Sequence, residues 1–129
     1  MSNYKKYSEL PESNSNNIKS DLIIDIESEE HKKKIVMNNK VVIIDIYGDW
    51  CQPCKAIAPR FANLSEKYKQ HGFIFAKENV DKKISQNIRG VPAFQYFYNG
   101  KMLHSTTGAD FADITEKVEG LLALKIKGV

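Results

Sequence analysis

Residues 41–47 read Val-Val-Ile-Ile-Asp-Ile-Tyr, an apolar, β-branched run with a single interruption. A strand with one wet face alternates apolar and polar residues, because successive side chains point to opposite sides. Continuous hydrophobicity describes instead a strand covered on both faces, as in a mainly parallel sheet with helices on each side. Gly48-Asp49-Trp50 then turns the chain into a segment that starts Cys51-Gln52-Pro53-Cys54. From there Ile57, Phe61, Leu64 and Tyr68 recur at helical spacing, up to the stop at His71-Gly72. Pro59 falls inside this helix and is expected to kink it, since it lacks an N–H and crowds the preceding turn.

The rest of the chain alternates in the same way. Leu22-Ile23-Ile24 suggests a short edge strand. Ser28 is placed to cap a helix whose first turn holds Glu29 and Glu30, next to the positive end of the helix dipole. Glu29 with Lys33 and Glu30 with Lys34 are i,i+4 pairs, so Lys32-Lys33-Lys34 reads as a solvated helix face. A second strand is expected over residues 73–80. Ile84 and Ile88 suggest a short helix closed by Gly90. Pro92 opens a strand over residues 93–98, and Asn99-Gly100 is a strong hairpin signal leading into an antiparallel partner over 101–107. Asp110 caps a last helix with Phe111, Ile114, Val118, Leu121, Leu122 and Lys125 along one side. Met102, Phe94 and Tyr96 are expected in the core. The order β-α-β-α-β-α-β-β-α is that of an α/β domain with an antiparallel edge.

At 129 residues the chain suits one domain. No apolar run approaches the ~18–20 residues of a membrane span, so a soluble protein without a membrane partner is expected. The net charge of +3, carried mostly by Lys, is too mild for a nucleic-acid surface. Residues 1–20 are polar, with a Ser/Asn run at 13–17, and read as a flexible extension ahead of a domain over 21–129. They hold no apolar stretch of export-signal length, which predicts a cytoplasmic, reducing setting.

Cys51 and Cys54 are the only cysteines. A structural zinc site wants four ligands, and His31, His71 and His104 are scattered, so no metal is expected. Residue 55 is Lys, so the haem-attachment pattern is absent. A bridge across two residues closes almost no loop and adds little stability. Redox chemistry within the pair remains. At a helix start Cys51 lies near unpaired N–H groups, whose dipole lowers a thiol pKa by about one unit at most. Cys54, one turn deeper, is expected to be the less exposed and to act second. Pro53 stiffens the first turn at no hydrogen-bond cost.

Val41 to Pro59, VVIIDIYGDWCQPCKAIAP, resembles the active-site strand and helix of the thioredoxin family. IRGVPAF around Pro92, then YNGK and Thr107-Gly108-Ala109, extend the match in the same order over residues 21–125. The resemblance implies the thioredoxin fold: a central mixed sheet flanked by helices on both faces. It implies a cis peptide before Pro92, packed against the cysteines, with the Val91 backbone pairing with an extended substrate segment. Asp45, a carboxylate inside an apolar run, matches the family's buried acid behind the second cysteine. Burial should raise its pKa and let it exchange a proton with Cys54. The plainer alternative is a carboxylate tolerated through backbone hydrogen bonds.

Lys77 matches the lysine near that acid, although a solvated surface lysine reads equally from the strand pattern. Trp50 is expected to shield the cysteines and, with Gly108, to offer a contact surface. Tyr47 stands where the family often has a second Trp. Gln52 departs from the usual Gly between the cysteines, restricting the loop and adding a polar group at the substrate face. Pro53 without a neighbouring His argues for the reducing end of the family.

The expected function is thiol–disulfide exchange, with Cys51 as nucleophile and Cys54 resolving. Its partners would be disulfide-containing proteins and a thioredoxin reductase or equivalent as electron donor, with no metal or organic cofactor and the chain acting as a monomer. The alternatives are a thioredoxin-fold binding module with incidental cysteines, and a disulfide oxidase or isomerase.

Overall fold

The computed structural model describes residues 22–128. The polar extension expected over residues 1–20 lies outside them. Five strands form one sheet in the order β1-β3-β2-β4-β5, where β1 is Ile24–Asp25, β2 Val41–Tyr47, β3 Ile74–Asn79, β4 Ala93–Tyr98 and β5 Lys101–Thr107. β1 and β2 flank β3 in parallel, whereas β4 runs antiparallel to both β2 and β5. The sheet is therefore mixed, with β2 central, as its unbroken hydrophobicity requires.

Alternation along β2 divides the core. Val41 and Ile43 meet Ile57, Phe61 and Leu64 of helix α2 (Gln52–Tyr68) and Ile114, Val118 and Leu121 of α3 (Phe111–Lys127). Val42, Ile44 and Ile46 face the other way, onto Ile35 and Val36 of α1 (Glu29–Asn38). Each such side chain taken fully from water contributes roughly 1.5–3 kcal/mol.

The helix ends follow the capping expectations. The Ser28 hydroxyl accepts from the His31 N–H at 3.0 Å, and His31 Nδ1 accepts in return from the Glu27 N–H at 3.0 Å. The Asp110 carboxylate accepts from the Asp113 N–H at 3.1 Å, starting α3. At the hairpin Asn99 and Gly100 have φ of 53° and 82°. Both signs are those a two-residue type I′ turn demands. α2 runs unbroken through Pro59, although that residue leaves the Lys55 carbonyl without its helical donor.

Three expectations need correction. No α-helix forms over Ile84–Ile88: a 3₁₀ turn covers Val80–Lys82, and the chain then continues irregularly to β4. Lys83 and Asn87 sit at φ of 56° and 62°, leaving three residues between left-handed positions, too few to propagate a right-handed helix. Ile84 and Ile88 instead anchor this loop separately to the α1 side of the core. Met102 is exposed rather than buried, because β5 is an edge strand whose side chains are almost all exposed. Lys32 is not solvated with its neighbours; it turns inward to Glu78, Ser85 and Gln95.

Candidate active site

Strand β2 delivers the chain to the site and α2 carries it away. Cys51 occupies the N-cap of α2 with extended φ and ψ of −94° and 109°, and its Sγ accepts from the Cys54 N–H at 3.1 Å. One of the orphan donors of the helix start is thereby satisfied by sulfur. Pro53 falls in the first turn, where a missing N–H costs nothing. The two cysteines form a disulfide with Cα atoms 5.3 Å apart.

The expected difference in exposure between them is absent: Cys51 and Cys54 are each 3% exposed. Cys51 is covered because the loop before β4 approaches it, with the Val91 carbonyl oxygen 3.6 Å from its Sγ. What distinguishes the two sulfurs is their surroundings. Cys51 faces the cap and the Val91 backbone. Cys54 borders a cavity of about 190 Å³ lined also by Asp45, Tyr47, Gly48, Lys55 and Lys77.

Asp45 lies on the same side of β2 as that cavity and is 4% exposed. Its Oδ1 has no hydrogen-bond partner among the described residues. Burial pushes its pKa up to about 7, against the opposing pull of the Lys77 ammonium. Lys77 is its register neighbour on β3, half-buried, with Nζ 6.0 Å from the centre of the Tyr47 ring. A carboxylic group that changes charge near neutrality therefore shares a cavity with Cys54.

The Val91–Pro92 peptide is cis, and Pro92 is buried at the start of β4. Its carbonyl accepts from the Gly108 N–H at 2.7 Å, binding the turn after β5 to the loop before β4. Gly108 has φ of +111°, a conformation that other residues adopt only under strain. Trp50 is 66% exposed, its indole lying over Gly48, where an added Cβ would come within 2.8 Å of the ring. Trp50 is thus an exposed aromatic side chain adjacent in sequence to Cys51. Gln52 is exposed on the first turn of α2.

The residues missed from sequence sit across the sheet. Glu78 and Gln95 are buried polar side chains, 1% and 6% exposed, and Lys32 reaches both. The signal was available: Lys32 stands three and four residues before Ile35 and Val36, on the buried stripe of α1. Among the described residues no three His, Cys, Asp or Glu side chains gather closely enough to hold a metal ion. No helix among them is long and apolar enough to cross a membrane.

Comparison with known proteins bears on this geometry. The Thioredoxin family model matches residues 22–120. Thioredoxin of Coprinus comatus is 36% identical over 94 residues, covering 70% of this chain and 89% of that protein. Thioredoxin-like protein 1 of Schizosaccharomyces pombe is 37% identical over 110 residues, covering 82% of this chain but 38% of its own length. Thioredoxin F2 of Arabidopsis thaliana chloroplasts is 38% identical over 84 residues, 63% of this chain and 45% of that protein. This chain thus spans less than half the length of those last two relatives.

Among solved structures, Plasmodium falciparum thioredoxin superposes with a TM-score of 0.71 at 28% identity, covering 76% of this chain and 98% of that one. Reduced Schistosoma mansoni thioredoxin gives 0.71 at 32% identity, covering 77% and 97%. A mixed sheet between helices carries the cysteine pair at the start of α2, over the residues that the family model matches. The chain belongs to the thioredoxin family.

Proposed function

We propose that this chain reduces disulfides in other proteins by two successive exchanges. The Cys51 thiolate attacks a substrate sulfur, the substrate S–S bond breaks, and the departing thiolate takes a proton from solvent. Cys54 then loses its proton to the Asp45 carboxylate and attacks Cys51 Sγ. The mixed disulfide breaks, the second substrate thiol leaves, and the Cys51–Cys54 disulfide remains. Two electrons have passed from the dithiol to the substrate. A reductase, of the thioredoxin reductase class or equivalent, would return two electrons and two protons, with no metal or organic cofactor needed. The exposed Trp50, the Val91–Pro92 backbone and Gly108 would form the face that receives an extended substrate segment. Pro53 and Gln52 shape the first turn beneath it, and Lys77 tempers the charge on Asp45.

The observation that carries the reading is the Cys51–Cys54 disulfide at the N-cap of α2, with Cys54 beside a buried carboxylate whose Oδ1 has no partner among the described residues. At an N-cap the thiolate of Cys51 gains from nearby N–H groups and the helix dipole. The work requires a reducing compartment, the cytoplasm in this reading, and a chain acting as a monomer; imaging of the tagged protein and sedimentation check both.

Turnover of insulin disulfides by dithiothreitol-charged protein is the direct assay. The parent should exceed the dithiothreitol background and Cys51→Ser should not. Cys54→Ser should accumulate substrates as mixed disulfides on Cys51. Alkylation of the reduced protein near neutral pH should label Cys51 first; first labelling of Cys54 would reverse the two roles.

A further inference from the structure

On the sheet face opposite the disulfide, one ammonium gathers three elements. Lys32 Nζ of α1 lies 2.9 Å from Glu78 Oε1 on β3, 2.7 Å from Gln95 Oε1 on β4 and 2.5 Å from Ser85 Oγ in the loop before β4. An ammonium has three donors, and all three are used. The Lys32 and Glu78 side chains are 15% and 1% exposed. A charge-assisted hydrogen bond in such surroundings is short and directional.

The acceptors' positions along the chain give this cluster a use. Ser85 precedes the cis Val91–Pro92 bond and Gln95 follows it, so Lys32 grips both flanks of the segment whose Val91 carbonyl faces Cys51. That segment has no helix or strand of its own between Lys82 and Ala93. Its other moorings are the hydrogen bond from the Gly108 N–H to the Pro92 carbonyl at the β4 end and the apolar contacts of Ile84, Ile88 and Val91 on the α1 side. Apolar contacts fix depth but are non-directional. A polar tie fixes position along the sheet as well. Removing it leaves the loop seated and pinned at Pro92 by Gly108, but frees the stretch from Ser85 to Val91 to shift, which matters only for a substrate that must pair with it.

We propose that Lys32 is a positioning residue. Through Ser85 and Gln95 it holds the Val91–Pro92 loop in register with Cys51, and so sets affinity for protein disulfides without touching the reacting sulfurs. The proposal rests on the oxidoreductase reading above, in which that loop receives the substrate.

Two variants test it. Ser85→Ala removes the loop arm and keeps the ion pair. Lys32→Met with Glu78→Gln removes the whole tie without leaving a buried charge alone. The expected result is a KM for insulin raised roughly three- to thirtyfold in the double variant and less in Ser85→Ala. kcat for insulin should hold, and the second-order rate with 5,5′-dithiobis(2-nitrobenzoate), a small disulfide that needs no strand pairing, should stay near the parent's. A merely structural tie would not separate the two substrates. Insulin KM within twofold of the parent in both folded variants overturns the proposal, and so does equal loss with both disulfides. A parent chain that reduces neither disulfide would overturn the oxidoreductase reading itself, seen before any variant is made.

Discussion

Two carboxyl groups are buried in this sheet, Asp45 on one face and Glu78 on the other; among the described residues each leaves one oxygen without a partner, Asp45 Oδ1 and Glu78 Oε2, but they differ in the cation brought to them. Glu78 receives a lysine at 2.9 Å, and that lysine also satisfies Ser85 and Gln95. Asp45 receives the distant influence of Lys77; its Oδ1 has no partner among the described residues, and burial pushes its pKa up to about 7. Burying a charge is costly unless it is paired, and an unpaired acid responds by holding its proton. Glu78 is thus tied into an ion pair that joins α1 to the sheet. Asp45 is left on the edge of ionisation, where a group that must take and return a proton is useful. The same sheet yields a tie and a proton carrier, according to whether a cation is brought to the acid.

The largest effect is expected at Asp45. An unfolded Asp titrates near 3.8 and the folded one near 7. Between these values the folded state binds more protons, so this group's contribution to stability falls as pH rises from about 4 to 7 and is flat beyond. Asp45→Asn lacks that decline. Its stability relative to the parent should be unchanged by the proton term below pH 4 and higher by at most about 4 kcal/mol above pH 8. Urea titrations of both proteins across that range decide it. A difference that does not vary with pH would mean that burial does not perturb Asp45.

Breaking the other pair should act with the opposite sign. Lys32→Met leaves Glu78 buried and alone and should destabilise by about 3 kcal/mol, the lower end for a broken buried pair because Lys32 keeps some exposure. Adding Glu78→Gln should recover much of that loss. Denaturant midpoints for the single and double variants measure both, and a single variant as stable as the parent would reduce the tie to an ornament of the surface.

Kinetics sharpen the contrast further. Asp45→Asn should slow insulin reduction near pH 7 by roughly ten- to a hundredfold, the lower part of the range for general bases. The deficit should shrink as pH rises and Cys54 ionises unaided. A pH profile superimposable on the parent's would remove Asp45 from the resolving step. The smallest effect should come from Lys77→Met, which withdraws the cation that lowers the Asp45 pKa. Stability should change by less than about 1 kcal/mol, as for other partly exposed charges. The pH at which the Asp45-dependent loss of stability is half complete should move up, and a downward move would contradict the sign of the Lys77 interaction.

How legible each region was follows from the range of the interactions that made it. The β2 run, the Cys51–Cys54 spacing, the Ser28 and Asp110 caps and the Asn99-Gly100 turn are local: each is decided within a few residues, so the chain itself determined them. Asp45 stood out because it breaks a local pattern. Equal burial of Cys51 and Cys54, the failed helix around Ile84 and the exposure of Met102 were decided by what packs above each residue. That is set by the Val91–Pro92 loop, by left-handed Lys83 and Asn87, and by β5 lying at an edge. Lys32 and Glu78 are 46 residues apart, and Lys32 and Gln95 are 63 apart. No local rule joins such pairs, and only folding brings three elements and one ammonium to the same point.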